Sequence, residues 1–226
     1  MMFRYAVPLF LLLVSAVLSA SEPMGEELER WFEDDEQSLP YADYSSDAEL
    51  RFLEPITDKR IPHSHTRLQL TAESLSSGWV GLSQCHDELD PVPDAEVVYR
   101  FRAMRGLQVS ESVNITSAEV EGQSVQLKDI GHQARLCVTA EVQILNRTPD
   151  GEYHLRYGPF QRKFLDSYFP LHVSLQIYYP SQAIVLTEIS PPPENAYQLS
   201  RDQGSAAADV WFSGELTFEI GFTAAR

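Results

Sequence analysis

The chain has 226 residues, a formal net charge of −16, a hydrophobic content of 43% and two cysteines. Such an acidic chain is no general nucleic-acid binder, because neutralising phosphates takes clustered Lys and Arg. Its apolar and aromatic content excludes a wholly disordered polypeptide, and two cysteines are too few for a small disulfide-built scaffold.

Residues 1–20, MMFRYAVPLFLLLVSAVLSA, have the layout of a secretory signal peptide. Arg4 precedes an apolar run from Ala6 to Leu18, and Ser19-Ala20 supply small residues for cleavage. The run is shorter than the roughly 20 residues that a spanning helix needs, so no transmembrane helix is expected after cleavage. A periplasmic or secreted location follows, with periplasm preferred on the bias of 14 Arg against 3 Lys. In that compartment the sequons at Asn114 and Asn146 are accidents; in a eukaryotic secreted protein they would be glycan acceptors.

Residues 21–62 read as an acidic leader. Positions 21–60 hold 13 Asp and Glu against 4 Lys and Arg. Glu26 to Glu36 predicts a short helix with Leu28, Trp31 and Phe32 on one side. The remainder is polar and turn-rich, and reads as solvated and disordered.

Residues 63–226 form the predicted folded body, with a period of two throughout. Leu68, Leu70 and Ala72 alternate with polar neighbours, as do Val97, Tyr99, Phe101 and Ala103. Leu136 to Ile144 form one face of a long strand whose other face carries Arg135, Cys137 and Thr139. Leu171 to Tyr179 repeat the pattern with His172, Ser174 and Gln176 opposite, and Leu216 to Phe222 close the chain likewise. Alternation of this kind marks antiparallel strands with one buried and one wetter face. Thr148-Pro149-Asp150-Gly151 and Glu121-Gly122-Gln123 are hairpin turns by composition. The fold class is therefore all-β: an antiparallel β-sandwich of about ten strands behind an acidic leader.

Cys85 and Cys137 are the available intramolecular pair, and export predicts that they are bridged. Parity puts Cys137 on the polar face of its strand, so the bridge is expected to pin the 85–94 loop to the outside of the 134–146 strand. Trp79 precedes both cysteines, so the Cys–Trp–Cys order of immunoglobulin domains is absent.

The sequence carries no nucleophile elbow, P-loop, H-E-x-x-H or C-x-x-C-H motif. Two groups of residues remain as candidates. His63 and His65 project from one side of an extended segment, and with His86 could offer three imidazoles to Zn²⁺ or Cu²⁺. The stretch 153–179 interleaves rings with cations, and Arg156, Tyr157, Arg162, Lys163 and Tyr168 are its binding candidates. Within it, 158–169 lacks alternation and is expected to be a loop or short helix across one end of the sandwich. The leading expectation is an exported, non-enzymatic module, with no cofactor, that binds an envelope protein or a cell-wall polymer. The alternatives are a metal-binding protein or metal-assisted hydrolase built on the three histidines, and a structural subunit of an envelope complex.

Overall fold

The computed structural model describes residues 48–193 and 197–225; the signal segment 1–20 and the helix expected over 26–36 lie outside the described residues. In chain order the elements are β1 (Arg51–Phe52), β2 (His63–Gln69), a short helix α1 (Ser74–Ser77), β3 (Trp79–Leu89), β4 (Asp94–Val98), β5 (Met104–Glu121), β6 (Ser124–Gln143), β7 (Leu145–Arg147) and β8 (Tyr153–Phe160). They continue with β9 (Arg162–Phe164), β10 (Ser167–Phe169), β11 (Leu171–Tyr178), β12 (Ile184–Ser190), β13 (Tyr197–Asp202), β14 (Ser205–Ser213) and β15 (Leu216–Ala224). The all-β reading holds. The strands beyond the expected ten are mostly short: β1 and β7, and a β9–β10 hairpin in place of the loop or helix expected over 158–169.

Nine strands form one sheet in the order β1-β14-β11-β2-β3-β6-β4, with β13 also on β14 and β5 also on β6. Four more form a second sheet, β12-β15-β8-β7. Every described ladder is antiparallel except β2 with β11, which runs parallel from His63–His172 to Gln69–Tyr178. That pairing departs from the purely antiparallel expectation. A parallel neighbour cannot be reached by a hairpin, and here it is supplied by a strand about a hundred residues further along the chain. β1 adds Arg51 and Phe52 to the edge of β14, and Phe52 packs on the core, so part of the compositional leader belongs to the folded body.

The two sheets face each other across a core that follows the alternation residue by residue. Leu68, Leu82, Val142, Leu175 and Val210 come from the large sheet; Leu155, Phe218, Ile220 and Phe222 come from the small one. All nine are essentially buried, and side chains of this size contribute about 1.5–3 kcal/mol each on burial. A second cluster, with Val125, Leu127, Leu136, Val138 and Tyr99, lies under the long β5–β6 hairpin and β4. Register shifts at three places in β5 bend that hairpin, as bulges do. Its turn is the one expected, with Gly122 at φ 61° between β5 and β6. The turn between β7 and β8 is also as expected, closed by Gly151 N–H donating to the Thr148 carbonyl at 3.0 Å.

Cys85 and Cys137 are bridged. They are direct register partners on β3 and β6, on the outer face of the large sheet. The bridge therefore staples two central strands, and the 85–94 loop of the sequence reading is strand as far as Leu89. Closing a 52-residue separation predicts that Cys85→Ser/Cys137→Ser loses about 2–4 kcal/mol in urea unfolding. Non-reduced peptide mapping that finds both thiols free would contradict this.

Candidate functional site

Alternation gives the large sheet a solvent face, and register aligns its residues in rows. One row runs Trp211 on β14, His172 on β11, His63 on β2, Asp87 on β3 and Arg135 on β6. The next row runs Asp209, Ser174, His65, Cys85, Cys137 and Glu111. The rings of the first row stack: His63 lies 3.5 Å from His172 at 19°, and His172 lies 4.1 Å from Trp211 at 14°. His65 adds a third imidazole 3.5 Å from His63.

Hydrogen bonds tie the rows together. The Ser174 hydroxyl donates to Asp209 Oδ2 at 2.5 Å. That commits its single proton, so the 2.8 Å contact between His63 Nε2 and Ser174 Oγ is a donation from the imidazole. His172 Nε2 donates to the other Asp209 oxygen at 3.0 Å. Ser, His and Asp thus meet, but with the proton order reversed from a nucleophilic triad, in which the imidazole accepts from the serine. On the far side, His65 Nε2 donates to Asp87 Oδ2 at 2.9 Å, and Arg135 holds Oδ1 at 2.5 Å.

Burial drives the His63 pKa down to about 3, assisted by His172 and His65. His65 is also lowered, mainly by burial, with Asp87 opposing. The His172 and Ser174 hydrogen bonds hold the Asp209 carboxyl below the ordinary range.

His86 does not join this group. It follows Cys85 on a strand, so alternation turns it to the inner face, opposite Ser64 and Leu136. There its Nε2 is sealed from solvent without a hydrogen-bond partner, and burial lowers its pKa to about 4. The third imidazole beside His63 and His65 is His172. The trio expected from sequence is thus corrected, because the chain from Cys85 to Leu89 is strand rather than loop.

His86 instead lines a cleft of about 710 Å³ at one end of the sandwich, bounded by β2 and β3, by β4 and the residues after it, and by the end of β8 with β9. Inward positions that are apolar elsewhere are polar here: Ser64, Thr66 and Gln84 are all buried. Gln84 Nε2 lies 3.2 Å from Ser64 Oγ, 3.1 Å from Thr66 Oγ1 and 3.1 Å from the Tyr157 hydroxyl, three acceptors for two amide protons. Burial raises the Tyr157 and Tyr99 phenols well above their ordinary pKa, so both stay protonated. The Tyr99 hydroxyl is buried without a partner on the same wall. Phe101 stacks on Tyr157 at 6.1 Å, and Phe160 meets Tyr157 edge-on at 5.1 Å. Gly158 sits at the turn of this wall at φ 125°, where an added Cβ would lie 2.7 Å from the Leu216 carbonyl oxygen.

Of the five candidates in 153–179, Tyr157, Arg162 and Lys163 line the cleft. Arg162 pairs with Asp90 at 2.7 Å, joining β9 to the segment after β3. Arg156 does not reach the cleft: it points from the outer face of the small sheet and pairs with Glu219 at 3.3 Å. Tyr168 is buried in the β9–β10 hairpin under Lys163 and donates to Glu215 at 3.2 Å. Sequence reasoning missed His172, Asp209, Ser64, Gln84 and Tyr99 as site residues. The signal for Ser64 and Gln84 was present, since both are polar residues at core-facing parity.

No protein-family model matches the chain, and no curated protein matches it. Among solved structures, the M1 zinc metallopeptidase of Deinococcus radiodurans aligns with a TM-score of 0.36 at 11% identity over 72% of this chain and 41% of that one. A point mutant of that enzyme bound to a Tyr-Ser-Ala substrate aligns with a TM-score of 0.39 at 12% identity over 72% and 42%. This chain therefore spans less than half the length of those chains, and a likeness at this level carries no argument about it. Among the described residues, no helix is long and apolar enough to cross a membrane.

The lowered histidines have a consequence for stability. Unfolded histidines protonate near pH 6.5, while His63 and His86 resist until about pH 3 and 4 in the fold. Between those values the unfolded chain binds more protons, so stability falls as the pH drops. Thermal melts should show Tm declining from pH 7 to pH 5. His86→Gln should flatten the urea-derived slope by up to about 1.4 kcal/mol per pH unit, reached toward pH 5. A Tm that is constant from pH 7 to pH 5 would contradict the burial of these rings.

Proposed function

We propose that the protein is an exported, non-enzymatic binding module of the cell envelope, and that its ligand is a strand of cell-wall polysaccharide lying in the interlayer cleft. The observation that carries this reading is the lining of the cleft, where the rings of Phe101, Tyr157 and Phe160 stand beside polar side chains around a volume of about 710 Å³. The rings of Phe101, Tyr157 and Phe160 supply the apolar surface that sugar faces stack on. Arg100 and Lys163 at the rim can pair with carboxylates of such a polymer; Arg162 already holds Asp90, and Asp87 and Glu96 line the same cleft. Docking of a protein by strand addition to β4 is less supported, because Asp94 and Glu96 charge that edge and like charges guard edges against pairing.

Phe101→Leu removes one ring from the cleft wall, and retention of the purified protein on peptidoglycan sacculi should weaken by about 3–10-fold. Arg162→Ala/Lys163→Ala should weaken retention and make what remains less salt-sensitive. Unchanged retention in both variants, or no retention of the parent protein, would overturn the reading.

A further inference from the structure

We infer that the solvent face of the large sheet carries a site for one divalent late-transition ion, zinc or copper, held by His63, His172 and Asp209. This goes beyond the cleft and stands independently of it.

The three side chains come from three consecutive strands, β2, β11 and β14, and their ligand atoms all lie within 4.8 Å of one another. Two imidazoles and a carboxylate form a donor set that suits zinc or copper; magnesium and calcium prefer oxygen donors throughout. Coordination through one imidazole nitrogen leaves the ring its proton on the other, so no histidine must lose a proton to bind. His172 is fixed by its stack on Trp211, and Asp209 accepts from His172 and Ser174. An ion held by both His172 and Asp209 takes the place of the His172 Nε2 proton, which moves to Nδ1, so that hydrogen bond is exchanged for coordination. Ser174 also receives the His63 donation, so one hydroxyl links two of the three ligands. Supporting groups of this kind orient metal ligands.

A second triad, His63, His65 and Asp87, has comparable spacing. It is the weaker site because Asp87 already holds the Arg135 guanidinium at 2.5 Å, and that cation would repel a second one. Asp209 is met instead by a histidine and a serine, neither of which is a fixed cation. His65 is also more exposed than His172, with side-chain accessibilities of 46% and 13%. His63 belongs to both triads, so the choice between them rests on His172 and Asp209 against His65 and Asp87.

The test is isothermal titration of the full, disulfide-intact chain, carrying no polyhistidine tag, with ZnCl2 and then CuCl2. The expected result is one saturable equivalent for at least one of the two metals, with affinity at least tenfold weaker in His172→Gln and in Asp209→Asn and unchanged in His154→Gln, whose ring lies on the other sheet beside Glu219. Copper electron paramagnetic resonance on the unaltered protein gives a readout that does not depend on the variants folding: nitrogen splitting from two imidazoles supports a two-histidine site, which the variants assign to one triad, and its absence overturns the inference. Absence of saturable heat with both metals overturns the inference. So does affinity that survives His172→Gln but is lost in His65→Gln, which would move the ion to the Arg135 side.

Discussion

The register of β2 between its two neighbours is the constraint on which the rest of the molecule depends. β2 is antiparallel to β3 and parallel to β11, and its residues alternate without interruption from His63 to Gln69. A slip of one residue would send Leu68 into solvent and His63, His65 and Arg67 into the core. The core burial of Leu68 and Leu70 therefore fixes where the histidines stand. The Cys85–Cys137 bridge, between the next two strands and one row along, holds the β3–β6 register that completes the same face.

The same strand divides the interior. Toward one end its inward residues are Leu68 and Leu70; toward the other they are Thr66 and Ser64, facing Gln84 and the Tyr157 hydroxyl. The sheets are sealed by hydrocarbon in the first region and by a hydrogen-bonded polar floor in the second. A buried polar network is costly unless satisfied; here Gln84, Ser64, Thr66 and the Tyr157 hydroxyl bond one another, while His86 Nε2 and the Tyr99 hydroxyl are sealed without partners. The cleft is thus where the packing changes character, and the histidine face lies around the corner of the same strand end. The cleft and the histidine face share one structural origin.

Much of this was legible in the alternation. The buried faces of the strands near 68, 136–144, 171–177 and 216–222 were read correctly, as were both hairpin turns and the outward parity of Cys137. His63 and His65 were placed on one side. What local pattern cannot supply is the identity of a neighbouring strand about a hundred residues away. The parallel pairing of β2 with β11 brings His172 beside His63, and β14 then brings Asp209. Parity by itself would have turned His86 away from His65, had the segment after Cys85 been read as strand. The turn of the β5–β6 hairpin was read, but the bulged length of β5 was not, because its apolar residues keep no single parity across the register shifts, with Val113 exposed and Ile115 half-buried at one of them.

The most direct test of this arrangement is a long-range ¹H–¹⁵N correlation of the imidazole rings, followed from pH 7 to pH 5 in the metal-free protein. Register and hydrogen bonding predict that His63 remains neutral throughout that range and carries its proton on Nε2, donated to Ser174. A His63 that titrates near pH 6.5, or one protonated on Nδ1 alone, would contradict the packing of the histidine face and the proton order from His63 through Ser174 to Asp209.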